Sequence, residues 1–140
     1  NMAKLTNDIA RTYELGDTSE YPMLGGEIIY EGAAVGINSN GYAHALQTGD
    51  KFAGFAEERV DNTSGTDGQK TIRTKFKGTV VLPAPSGVSL TDVGSNLFAS
   101  DDNTFTTTSA STPYIGKIRR ISDNEIIVDF QAFADAVPTA

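Results

Sequence analysis

The sequence predicts an all-β fold, a small single-domain β-barrel or β-sandwich of short strands preceded by an extended N-terminal arm. Three observations lead there. Fourteen glycines punctuate short runs rich in Val, Ile, Thr, Tyr and Phe, the pattern of brief strands separated by turns. The 140 residues suit one domain, and a folded chain of that size buries roughly two-thirds of its extended surface, enough for a core without cross-links. In residues 2–25, Pro22 and the Gly25–Gly26 pair argue against a continuous helix despite a short helical hint in "TNDIAR", so this segment reads as an arm. The division is therefore an arm over 1–25 and one β domain over 26–140. Asn1, ahead of Met2, reads as the remnant of a cleaved tag and is set aside.

Taken in order, the strands are expected at "EIIYEG" 27–32, "AAVGI" 33–37, "GYAHAL" 41–46, "FAGFAEERV" 52–60 and the long "KTIRTKFKGTVVLP" 70–83. Then come "NLFAS" 96–100, "TFTTT" 104–108, "YIGKIRRI" 114–121 and "EIIVDF" 125–130. The last two are joined by Ser122, Asp123 and Asn124, which predicts a tight hairpin setting Ile115, Ile118 and Ile121 against Ile126, Val128 and Phe130. Between them, "DNTSGTDGQ" 61–69 has no large apolar residue and reads as an exposed loop.

An internal echo accompanies this pattern. Shifted by 62 positions, Ile28 falls on Leu90, Gly32 on Gly94, Val35 on Leu97, Phe52 on Tyr114 and Gly54 on Gly116. Two related hairpin units, each closed by an aromatic-x-Gly strand, would give this echo; so would coincidence in a glycine-rich β chain. The echo bears on Asp101 and Asp102 in "FASDDNTFT", two adjacent carboxylates flanked by amide and hydroxyl side chains. The matching stretch of the first unit, Asn38 to Gly41, has no carboxylate, so the position asks for turn formers and the acidic pair is read as a turn.

Composition narrows the chemistry. Cysteine is absent, which removes disulfides, thiolate nucleophiles and zinc–thiolate sites and fits a reducing compartment. A formal charge of −7, with the acids spread along the chain, repels phosphate backbones and argues against nucleic acid as a partner. No run approaches the ~20 apolar residues of a membrane span, and no basic region followed by an apolar run opens the chain, so a soluble protein without an export signal is expected.

His44, the only histidine, has no nucleophile motif nearby and reads as a structural or surface histidine. The loop carries only Asp61 and Asp67, and Thr63 breaks the calcium-loop pattern. Glu57 and Glu58 are adjacent on a strand and face opposite ways, so they make no carboxylate pair. The cations of "KTIRTKFK" and "KIRR" read as solvated strand faces, where lysine also blunts a sheet edge, in preference to a nucleic-acid site with Phe76 stacked on a base; such a patch could also meet an acidic protein. Catalytic residues, metal ligands and cofactors are all expected to be none.

The succession "IIYEGAAVG", "GYAHAL", "GDKFAGFAEERVDNTSGTDG", "KGTVVLP", "DVGSNLFASDDNTFT" and "YIGKIRRI" resembles the small capsid decoration, or cement, proteins of tailed bacteriophages, over about Ala3 to Phe130. The resemblance implies a β-rich subunit, commonly trimeric, that binds the outside of an icosahedral shell where capsid subunits meet and stiffens it against DNA pressure. It implies the major capsid protein as partner, a homotrimer, a place on the virion exterior after assembly in the host cytoplasm, and no enzymatic activity. A different virion or surface-attachment β module, such as a fibre base or a glycan-binding domain, is the alternative; exposed aromatics around a shallow groove would favour it.

On a capsid, an extended arm could add a strand to a neighbour's sheet edge, which makes Tyr13, Leu15, Tyr21, Met23 and Leu24 the candidate capsid-binding residues. The competing expectation is that the arm completes this protein's own sheet.

Overall fold

A computed structural model of the chain describes residues 4, 6–8, 10–11, 14, 16–109 and 112–136. It is all-β. Strands β1 (Thr18–Pro22), β3 (Ala34–Ile37), β4 (Ala43–Ala45), β5 (Lys51–Ala56) and β7 (Thr71–Lys75) form one sheet in the order β1-β7-β5-β3-β4. Strands β8 (Lys77–Pro83), β9 (Asn96–Ala99), β10 (Phe105–Thr106), β11 (Tyr114–Ser122) and β12 (Glu125–Gln131) form a second, ordered β8-β12-β11-β9-β10. The short β2 (Ile28–Ile29) and β6 (Val60–Asp61) pair by themselves, and a single 3-10 turn spans Leu90–Asp92. Neither sheet closes into a barrel, although the first curls until Met23 makes a lone bridge to Ala43.

The two sheets are one plan used twice. In the first, Val35 pairs with Gly54 and Gly36 with Phe52 across a bulge; in the second, Leu97 pairs with Gly116 and Phe98 with Tyr114 across the same bulge, every residue displaced by 62. Single hydrogen bonds follow suit. Gly32 N donates to Ala56 O as Gly94 N does to Ile118 O, and Asn38 N to Tyr42 O as Ser100 N does to Thr104 O. Past the bulged strand the displacement drops: Ala56 pairs with Thr74, and Ile118 with Val128. The fall from 62 to 54 measures eight extra residues in the first repeat, which fall in its β5–β7 connection, the stretch that contains the loop 61–69.

The bulge explains the glycines of the echo. A Cβ at Gly54 would overlap the Lys75 carbonyl oxygen, and one at Gly116 would overlap that of Asp129, so each aromatic-x-Gly strand needs glycine where the next strand's backbone comes closest. At Gly54 a φ of +109° adds a second reason.

The long run 70–83 divides at Phe76. Its N–H donates to Asp17 O and its carbonyl accepts from Ala132 N, so this residue hands the chain from the first sheet to the second. Its two halves therefore serve opposite layers. The C-terminal hairpin has the expected pairs Ile121–Ile126 and Ile118–Val128, but a bulge between Ile118 and Arg120 shifts the register and Gly116, not Ile115, stands opposite Phe130.

Two apolar cores result. Met23, Ile29, Val35, Ala43, Ala53 and Ile72 fill the curl of the first sheet. The larger core lies between the repeats, where Phe52 and Phe55 of the first meet Phe105, Ile118, Ile126 and Phe130 of the second. Phe55 sits at its centre, edge-on to Phe52 at 5.3 Å and to Phe130 at 4.9 Å, and tilted against Phe105 at 6.4 Å.

Candidate functional site

The candidate capsid-binding residues divide in two. Tyr13 and Leu15 lie outside the described residues. Tyr21, Met23 and Leu24 lie in the body of the fold, because Thr18–Pro22 is itself a strand, antiparallel to Thr71–Lys75 in the chain's own first sheet. Tyr21 stands opposite Ile72, half-buried. Met23 is fully buried, its N–H given to Lys70 O, and has no surface to offer a partner. Leu24 N donates to Ala43 O, and Leu24 O accepts from the side chain of Asn62. The sheet-forming body thus starts near Asp17, ahead of the boundary drawn at residue 25. The physical reason lies in β7: its outer edge needs a partner, and residues 18–22 alternate exposed and half-buried as a sheet strand does.

β1 remains the end strand of its sheet, as does β8 of the other. Pairing parity turns the backbone groups of Thr18, Glu20 and Pro22 outward on β1, and those of Thr79, Val81 and Pro83 outward on β8. Pro22 and Pro83 occupy equivalent places and have no N–H, so each blunts its edge at the same point.

The other singled-out residues have structural work. Asp101 Oδ1 accepts from Asn103 N at 2.9 Å and its Oδ2 from Thr104 Oγ1 at 3.1 Å, the self-capping expected of a turn former. Burial and the neighbouring Asp101 raise the carboxyl of Asp102 above the ordinary range. His44 is buried on β4. Its Nε2 lies 2.8 Å from Asp50 Oδ2, an approach too bent for a hydrogen bond, and its Nδ1 faces Glu27 Oε1 at 3.7 Å. Asp50 Oδ2 also accepts from Gln47 N, and Gly36, paired with His44, leaves the space that this carboxylate fills. The buried imidazole thus lies between two carboxylates, one beside each ring nitrogen. Among the described residues no group of three His, Asp or Glu side chains gathers as metal ligands do.

The loop 61–69 is exposed apart from half-buried Gly65 and buried Asn62, the latter passed over by sequence reasoning. Asn62 is 1 % exposed, and its Nδ2 donates to Leu24 O and Thr66 O, both at 3.1 Å. It nails the eight-residue insertion to the segment leaving β1. Two hydrogen bonds from Thr63 hold the carboxyl of Asp61 below its usual range.

The cations are largely spent on neighbours. Lys75 meets Asp17 at 3.1 Å, Arg119 meets Asp129 at 3.3 Å, Lys70 caps the Asp61 carbonyl, and Lys77 lies over the Phe76 ring. No protein-family model, no curated protein and no solved structure matches the chain.

Proposed function

We propose that this protein is a virion structural protein that binds the outer surface of a phage capsid and stabilises the shell, acting as a homotrimer on the major capsid protein after assembly in the host cytoplasm. The observation that supports this best is where the resembling segments lie. "GDKFAGFA" is β5 with the turn before it, "KGTVVLP" is β8, and "NLFASDD" is β9 with its capped turn. The likeness is thus to the frame of both repeats, a rigid body that presents surface. A protein of this kind works by binding, and its relevant quantities are the contact it makes and the strain that contact resists.

Co-sedimentation tests the reading. Purified chain is mixed with heads assembled from a tailed-phage major capsid protein, and the pellet is assayed for saturable binding. Light scattering reports the trimer. Absence of the chain from the pellet at micromolar concentration overturns the proposal, whereas a monomer that binds heads overturns only the preassembled trimer.

A further inference from the structure

A cleft of about 710 Å³ opens where the two repeats meet. Its walls come from equivalent places: Asp50, Lys51 and Phe52 at the start of β5, and Pro113 and Tyr114 at the start of β11. Tyr21 and Phe133 to Ala136 complete the lining. Junctions between units, and volumes of roughly 300–1,000 Å³, are where small-ligand sites occur.

The lining is chemically specific. Phe133 is 53 % exposed, set edge-on to Tyr21 at 6.1 Å. Its φ of 59° lies in the left-handed region, an unfavourable place for a bulky residue, and it is held there by donation from its N–H to Phe52 O at 2.9 Å. The fold thus spends strain to present an aromatic face to solvent. Hydroxyls and charges rim the rings: Tyr21, Tyr114, Lys51 and Asp135. Burial raises the Tyr114 hydroxyl above the ordinary tyrosine range, so it remains a donor. Asp50 is turned inward, within 2.8 Å of both His44 and Gln47. That leaves one cation, Lys51, against one anion, Asp135, on a chain whose formal charge is −7. A polyanion or a polycation gains nothing at such a balanced rim. An uncharged ring with apolar faces and hydroxyl edges complements both the aromatic faces and the polar border.

We propose that this cleft binds a short neutral oligosaccharide, with Phe133 and Tyr21 stacking on sugar faces and Lys51, Asp135 and Tyr114 bonding its hydroxyls. On a protein of a virion surface, such a site would tether the particle to glycans; the site itself does not depend on that setting, and its test needs no capsid.

Saturation-transfer NMR on the full chain with maltotriose, cellotriose and chitotriose reads the binding directly. Transfer to the ring protons of at least one sugar is expected. Phe133→Gly removes the ring while relaxing the φ, so folding is not put at risk, and should weaken binding about tenfold. Lys51→Met is the second variant and should also weaken it, while Leu90→Ala, at an exposed residue on the 3-10 turn and outside the cleft, should not. No transfer to any of the three sugars overturns the proposal, as does unchanged affinity in Phe133→Gly. Binding that appears only after removal of residues 137–140 also overturns it, by making the chain's own end the occupant.

Discussion

Replacing Phe55 by Ala probes whether the two repeats share one core or stand as two. The ring is buried and touches Phe52 from its own repeat and Phe105 and Phe130 from the other. Losing a buried phenylalanine costs about 3–5 kcal/mol, transfer and cavity together. At about 2.1 cal/mol/K per residue, 140 residues give an unfolding entropy near 0.3 kcal/mol/K, so the melting temperature should fall by about 10–17 °C. Differential scanning calorimetry is the assay, and it carries a second reading in the shape of the transition. A shared core predicts that the variant still melts in a single transition, because the cavity lies in both repeats at once. A fall of less than about 3 °C, or a melt that splits into an early and an unshifted late component, would refute the shared core.

Four further expectations follow from named contacts. Gly54→Ala and Gly116→Ala should each destabilise by more than about 2 kcal/mol by urea titration, with Gly54 the worse because positive φ adds to the overlap with the neighbouring backbone. Asn62→Ala should cost about 1–3 kcal/mol, since it strips the Leu24 and Thr66 carbonyls of their donor, and proteolysis within 61–69 should accelerate. Asp102 has a raised folded pKa, so its ionisation opposes folding at neutral pH and that penalty vanishes as pH falls below the unfolded value of 3.8; Asp102→Asn should therefore raise the melting temperature at pH 7 and leave it unchanged at pH 3. Truncation up to Gly16 should leave a folded chain, whereas truncation up to Leu24 removes β1 and Met23 and should give an aggregating one, as circular dichroism and size-exclusion chromatography would show.

Much of the frame is legible in the residues because β patterning is local. The hairpin at the C-terminus declares itself through its isoleucine-rich runs and a polar turn, and two of its three expected pairs are the observed ones; the bulge that moves Phe130 opposite Gly116 leaves no mark in the local pattern. The glycine echo points to the repeat because the bulge puts an identical steric demand on Gly54 and Gly116. What escapes is what depends on distant partners. The segment before residue 25 reads as an arm because nothing within it shows that β7 needs a neighbour; only the fold brings Tyr21 opposite Ile72. The run 70–83 reads as one strand because the handover at Phe76 is made by backbone bonds to Asp17 and Ala132, far away in sequence. The cleft escapes for the same reason. Phe133 sits in an undistinguished "AFADA", and only its left-handed backbone and the approach of Tyr21 mark it out.

Because both repeats keep one backbone plan, differences at equivalent positions separate what folding requires from what each unit has acquired. Met23 N donates to Lys70 O as Ala84 N does to Asn124 O, which makes Glu20 the counterpart of Val81 and Arg73 that of Ile127. In the first repeat this cross-strand pair is charged; in the second it is apolar, with Val81 54 % exposed and Ile127 buried. The bulge glycines, the edge prolines and the turn hydrogen bonds are common to both and belong to the scaffold. His44 and Asp50 have Thr106 and Thr112 as counterparts, and the Asn62 loop has none, so those polar features belong to the first unit alone. One duplicated backbone plan thus carries a charged cross-strand pair and an anchored polar loop in its first half, and an apolar pair with no such loop in its second, so that the two halves differ in surface chemistry while sharing a frame.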